Sequence, residues 1–276
     1  MTIVVAWERG VGPLRELIVA SDSRLSVAET ERWDGCPKVF TFPGFPFILA
    51  FRGSTGLAYP YVLQAIAQLQ GNEAVIRRAT DIADFSGHVA RTTSSMRLQV
   101  SSPDVAYDPS ECELLIGGWS WRLGRFRVFV ITFDKNSARY VAVPAKPAPL
   151  LLGGASASSV LAVIGDPKAR SALVGELAKR SDVGPLGYTP LEAIWTLCGR
   201  KWQDTVGGVP QVAKAYQSMH VEPFSVSVDA ESPHMCGRRL LPGESNDLRV
   251  IERGTDGDWR VEEKERVAEI EQATSR

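Results

Sequence analysis

Residues 18–26, IVASDSRLS, decide how this chain is read. An apolar, β-branched run stops abruptly on Ser21-Asp22, and Arg24 follows two positions later. Such a run bounded by small polar residues predicts a buried strand that ends in a turn. Upstream, residues 3–7 form a second apolar run, and Gly10, Gly12 and Pro13 separate the two as a hairpin turn would. Downstream, CPKVFTF places Lys38 sixteen positions after Asp22, at the head of residues 38–42. The run at 47–51 follows, closing on Gly53. The first fifty residues therefore predict strands.

Helical periodicity begins after Gly53. Tyr59, Val62, Leu63, Ile66 and Leu69 share one face, and Gly71 ends the stretch. A second helix is expected from Glu73 to Leu98, with Val75, Ile76, Ala79, Ile82 and Ala83 as its stripe. Strand patterns return at 113–116, 126–133 and 138–143. Asp166-Pro167 predicts a helix start, and Thr189-Pro190-Leu191-Glu192 predicts another with a capping box, its apolar face made by Leu191, Ile194, Trp195, Cys198 and Trp202. Strand-like sequence then runs to about Val228. Strands, two helices, strands, two helices, strands is an order that predicts antiparallel sheets with helices in separate layers, not βαβ units. The composition shifts after Pro233, so residues 1–230 are read as the main domain and 231–276 as an extension with a hairpin and a charged, solvated helix from Glu262.

Composition excludes several functions. The 276 residues are 44% apolar and 23% charged, enough to build a core, and Lys+Arg 31 against Asp+Glu 32 leaves a net charge of −1. That balance predicts no nucleic-acid surface and no polybasic membrane anchor. Residues 147–165 are uncharged, but two prolines, three glycines and three serines break them into a strand, a turn and a helix start, so no membrane span is expected. MTIVVAWERG lacks the basic and long apolar regions of a signal peptide. The cysteines, Cys36, Cys112, Cys198 and Cys236, form no CxxC pair and are read as free thiols of a cytoplasmic protein. His88, His220 and His234 have no metal-ligand spacing. GxSxG, P-loop and GxGxxG motifs are absent. No metal or cofactor is expected.

One constellation carries chemistry. Thr2 follows Met1, and removal of Met1 would leave a threonine with a free α-amine to act as base for its own hydroxyl. The unperturbed pKa of such an amine, ~7.7–8.0, suits that proton transfer. Around it, IVASDSRLS resembles the second strand of proteasome β-type subunits, with their D-[ST]-R signature, and Lys38 stands at the family's separation from its aspartate. FILAFRGSTG, LLIGGWSWRLGRFRVFVITFD, LLLGGASAS, TPLEAIWTL and DTVGGV continue the likeness in order, from Thr2 to about Val228.

The resemblance implies an α+β fold, the four-layer αββα sandwich of N-terminal-nucleophile hydrolases, and a threonine peptidase acting on a peptide. It implies Thr2 as nucleophile, Lys38 lowering the proton affinity of its hydroxyl and amine, Asp22 orienting Lys38, the Gly53 N–H as oxyanion donor, and Arg24 bracing the turn. An alternative register places Met1 at the nucleophile position and implies an inactive subunit. A small-molecule amidase and a non-catalytic assembly module are the other readings. The family also implies a homo-oligomer, with a ring as its form. Two departures bear on proton shuttling: the turn serine is displaced to Ser156, and Asp204-Thr205-Val206-Gly207-Gly208 is one residue short of the family's D-x-x-S-G-G. Ser156 and Asp204 are therefore secondary candidates.

Overall fold

The computed structural model describes residues 2–10, 14–27, 31–71, 73–76, 79–100, 108–146, 160–180, 186–199, 205–229 and 231–262. The chain opens with strands β1 (Ile3–Arg9), β2 (Glu16–Ser21), β3 (Leu25–Val27), β4 (Glu31–Trp33), β5 (Val39–Phe40) and β6 (Phe47–Gly53). Helices α1 (Thr55–Gln70), α2 (Glu73–Ile76) and α3 (Ile82–Arg97) follow. Next come β7 (Cys112–Ser120), β8 (Arg125–Asp134), β9 (Arg139–Pro144) and β10 (Val160–Gly165), then α4 (Pro167–Arg180) and α5 (Thr189–Cys198). The last strands are β11 (Gln211–Tyr216), β12 (Val221–Val228), β13 (His234–Met235), β14 (Arg238–Arg239), β15 (Arg249–Arg253) and β16 (Trp259–Val261).

Two sheets carry the architecture. The first runs β10-β1-β2-β11-β12 and is extended by β13 to β16; the second runs β5-β6-β7-β8-β9. Along β1, Ile3, Val5 and Trp7 point to one face of the first sheet, and Val4 and Ala6 to the other, as the two-residue period of a strand requires. Both faces are buried, which is why the strand reads as one continuous apolar run. Val4, Ala6, Leu17 and Val19 pack against Ile48, Ala50, Leu115 and Val128 of the second sheet. On the opposite face Ile3, Val5 and Trp7 meet Leu173 and Leu177 of α4 and Leu191, Ile194 and Leu197 of α5. The outer face of the second sheet is covered by α1 and α3 through Phe47, Phe51, Val62, Leu69, Phe85 and Val89. Each such side chain contributes roughly 1.5–3 kcal/mol on full burial.

Several local expectations need correction. The helix expected over 73–98 is two helices, because Asp81 caps a fresh start: its carboxylate accepts from Ala83 N at 3.1 Å. Residues 160–165 are strand β10, paired with β1, where a helix start was expected; with both faces packed, the uncharged run cannot be told from a helix by its pattern. Leu63 is exposed, and α1 buries Leu57, Ala58, Tyr61 and Ala65 instead. Thr189 opens α5, but the expected capping box is not made. Glu192 binds Arg253 (2.9 and 3.1 Å) and the Trp259 indole N–H (2.7 Å), joining residues after 231 to the body of the fold. The first sheet is not wholly antiparallel, since β15 lies parallel to β12. The charged helix expected from Glu262 falls outside the described residues, apart from Glu262 itself. Among the described residues no helix is long and apolar enough to cross a membrane.

Candidate active site

Register brings the site residues to one end of the first sheet. Val4 pairs with Ser21, and Ser21 pairs in turn with Gln211. The residues just beyond these pairs, Thr2 and Asp22, therefore meet at the same edge. Asp22 is wholly buried and accepts four hydrogen bonds: Oδ1 from Ile3 N at 3.0 Å, and Oδ2 from Lys38 Nζ at 2.9 Å and from Gly207 N and Arg24 N, each at 3.3 Å. Lys38 is also wholly buried, although it comes from the head of β5 in the other sheet. The ion pair thus bridges the two sheets. Desolvating two charges is costly, and only good geometry with every lone pair satisfied offsets it; the three backbone donors on Asp22 meet that demand.

Thr2 is buried and held from both sides. The amide that follows it, Ile3 N, is fixed by Asp22, and its own carbonyl accepts Asp166 N at 3.3 Å at the start of α4. Gly165 leaves room for this arrangement, since a Cβ there would come within 2.8 Å of the Thr2 carbonyl oxygen. The structure therefore ties the Thr2–Ile3 peptide and the Lys38 ammonium to one carboxylate, that of Asp22.

Arg24 lies beside them. Its Nε and Nη2 donate to the two Asp34 oxygens at 2.6 and 2.8 Å, and the Asp34 hydrogen bond raises its pKa further. Its guanidinium occupies the space a side chain at Gly207 would need. That contact explains a glycine at 207. At 208, Ser23 and a φ of +73° exclude a side chain. Gly53 closes β6, three residues after Ala50, the partner of Val39. Its φ is +104°, and a Cβ would overlap the Glu111 carbonyl oxygen, so packing alone requires glycine there. Ser156 and Asp204 lie outside the described residues.

Sequence reasoning passed over Gln211. Its amide is buried, with Oε1 accepting Lys38 N at 2.8 Å and Val39 N at 3.2 Å, while Nε2 donates to the Cys36 carbonyl. The available signal was an amide side chain at the first position of a predicted strand. Cys198, read from the sequence as a free thiol on a helix face, lies within electrostatic range of Asp22, Lys38 and Arg24. Burial, reinforced by Asp22, pushes its pKa well up, which keeps it a thiol and not a nucleophilic thiolate.

Comparison with solved structures bears on this geometry. An Anbu (Gly-1) mutant from Hyphomicrobium sp. strain MC1 superposes with a TM-score of 0.53 at 15% identity, covering 80% of this chain and 84% of that one. Anbu from Yersinia bercovieri, described as an ancestral beta-subunit, gives 0.53 at 16% identity over 80% and 86%. The chain has the Anbu fold. The Anbu complex from Pseudomonas aeruginosa, solved as a helical assembly, matches at 0.55 with 19% identity over 78% of this chain and 81% of that one. No protein-family model and no curated protein matches the sequence. At these identities the likeness is one of fold, and it agrees with the proteasome-like resemblance of the strand, helix and turn motifs.

Proposed function

We propose that the chain is a proteasome-like amide hydrolase with Thr2 as its N-terminal nucleophile. The observation that carries this reading is the wholly buried Lys38–Asp22 pair set against the backbone of residues 2 and 3. A buried charge pair is an expensive way to hold two sheets together, whereas an ammonium one carboxylate away from the Thr2–Ile3 peptide has a chemical use. The fold shared with Anbu, described as an ancestral beta-subunit, supports the reading of this chain as an N-terminal-nucleophile scaffold.

With Met1 removed, the Thr2 amine takes the hydroxyl proton as Oγ1 attacks the substrate carbonyl carbon. The positive field of Lys38 favours the developing alkoxide. The tetrahedral oxyanion needs an N–H donor, a role assigned to Gly53. Its collapse breaks the C–N bond, and the leaving amine takes the proton back. Water, deprotonated by the same amine, then hydrolyses the threonyl ester and releases the carboxylate. Asp22 keeps Lys38 in place, and Arg24 keeps the Asp22 turn in place.

The substrate class is a peptide or small amide, and assembly as a homo-oligomer is part of the proposal. The helical assembly of the Pseudomonas Anbu complex supports the latter. Intact mass should show a chain lacking one methionine. An epoxyketone or β-lactone should add to the first residue, and Thr2→Ala should abolish the adduct. Retention of Met1, or labelling that survives Thr2→Ala, would replace this reading with the non-catalytic one.

A further inference from the structure

At the far end of β1, β2 and β11 the same three strands build a second polar cluster. Arg9 ends β1, Glu16 opens β2, and Lys214 and Tyr216 end β11. At ~3.3 Å per residue, the length of β2 separates this cluster from Asp22 by about 20 Å. A cavity of about 860 Å³ opens here, with Tyr188, Lys214 and Tyr216 among its walls and Arg9, Arg15 and Arg249 among its cations. That volume lies within the ~300–1,000 Å³ typical of small-molecule sites.

We propose that this cavity binds a small organic monocarboxylate, held by Arg9 and Arg249 in the field of the buried Lys214 and packed on the surrounding aromatic rings. The charges do not balance without one. Glu16 alone serves two cations, accepting from Arg9 at 3.0 Å and from Lys214 at 3.2 and 3.3 Å. Glu222 serves Arg249 at 3.4 Å and also takes the Tyr216 hydroxyl at 3.1 Å. The other two arginines of the lining have acids of their own outside it: Arg15 binds Glu8, and Arg260 binds Asp256 and lies near Asp258. Among the described residues, three cations are thus left to two carboxylates.

The surplus positive charge is felt where it is least solvated. Lys214 is buried, with Tyr188 Oη at 2.7 Å. Desolvation, with added repulsion from Arg9 and Arg249, pushes its pKa down to about 8 despite Glu16. A buried cation with half a counter-ion favours an anion. The two wall carboxylates, Glu16 and Glu222, disfavour a dianion such as phosphate and set the preference at one negative charge. The ligand's body has aromatic surface to rest on, because Tyr188, Tyr216 and Trp259 are among the walls. The Arg9 guanidinium is itself steadied 4.3 Å over the Tyr188 ring. None of these groups takes part in the proposed hydrolysis, so the inference stands apart from it.

The test is calorimetric titration of the full chain with benzoate, alongside benzamide as its neutral counterpart and inorganic phosphate as a simple anion. Benzoate should bind with a dissociation constant below ~10 mM, and benzamide and phosphate at least about tenfold more weakly. At pH 8 binding should take up a fraction of a proton, read from buffers of different ionisation enthalpy, because the carboxylate stabilises the Lys214 ammonium. Lys214→Met should abolish binding. If that variant does not fold, Arg249→Gln, whose side chain is exposed, should weaken benzoate about tenfold and leave amide hydrolysis unchanged. No benzoate binding, equal binding of benzamide or phosphate, or an unaffected Arg249→Gln variant would overturn the proposal.

Discussion

Gln211 holds the peptide that carries Lys38. It opens β11 in the first sheet, and its Oε1 takes the Lys38 and Val39 amides at the head of β5 in the second. The lysine is therefore fixed at both ends: its ammonium by Asp22 and its backbone by Gln211. A brace of this kind positions a group to within a few tenths of an ångström, which is what an active-site cation requires. Gln211 is a positioning residue, acting through Lys38.

Replacing Gln211 with leucine keeps the bulk and removes the brace. Two buried N–H groups and the Cys36 carbonyl lose their partner, at roughly 1–3 kcal/mol for each group left unsatisfied. We expect a lower midpoint in denaturant and a fall in kcat with little change in KM, since the lysine moves while substrate contacts remain. Gln211→Glu retains the acceptor and should recover part of both. A Gln211→Leu protein with wild-type kcat would show that Lys38 needs no such support.

The ion pair separates stability from chemistry. Lys38→Met leaves the Asp22 carboxylate buried with only backbone donors and should cost ~3–5 kcal/mol. Combining it with Asp22→Asn removes the stranded charge and should restore part of that stability; the amide NH2 must face a backbone N–H that the carboxylate had accepted. Neither protein should hydrolyse an amide, with losses of ~10²–10⁴ in rate from the missing positioned group. Chemical denaturation and a fluorogenic peptide assay on the single and double variants test both statements; turnover in the double variant would sink the catalytic role.

Gly53→Ala should fail for a structural reason whatever its role in catalysis. The added methyl meets the Glu111 carbonyl, and φ of +104° is unfavourable for any L side chain. We expect loss of ~3 kcal/mol or more, seen as a lowered Tm. A stable Gly53→Ala protein would mean that the β6–β7 edge adjusts freely.

The order of elements could be read from the sequence because most of them are bounded by residues with one local meaning. Pro167 after Asp166 and the Ser21-Asp22 stop are of this kind. Asp22 and Lys38 could be paired only through the family's spacing; nothing in a single chain says that a lysine sixteen residues away, in another sheet, will point back. Gln211 could not be found that way, because its partners are backbone groups and carry no sequence signal. The break before Ile82 was missed for a different reason: the apolar stripe continues across it, so periodicity outweighed the cap at Asp81. The Glu192 capping box failed because Arg253 and Trp259, sixty residues on, compete for the same carboxylate.

Lys214 gives the protein a titration in its stability that can be measured without any ligand. Its pKa in the folded chain is about 8, below the ordinary 10.5, because burial, Arg9 and Arg249 outweigh Glu16; Tyr188 faces it as a neutral phenol whose own pKa is pushed up to about 12 by burial. Below pH 8 the lysine is charged in both states, its burial carries a constant penalty, and it gives stability no pH dependence. Between pH 8 and 10.5 the unfolded chain binds more protons than the folded one, so stability rises with pH across this window. The tyrosines act in the opposite sense only above pH 10, where the unfolded phenols ionise first. Measured from pH 7.5 to 9.5 by urea denaturation, the wild type should therefore gain on Lys214→Met by up to ~2 kcal/mol, as a slope of ~1.4 kcal/mol per pH unit allows. Parallel pH profiles for the two proteins would mean that Lys214 titrates where an exposed lysine does, and that Glu16 and Tyr188 neutralise the cluster on their own.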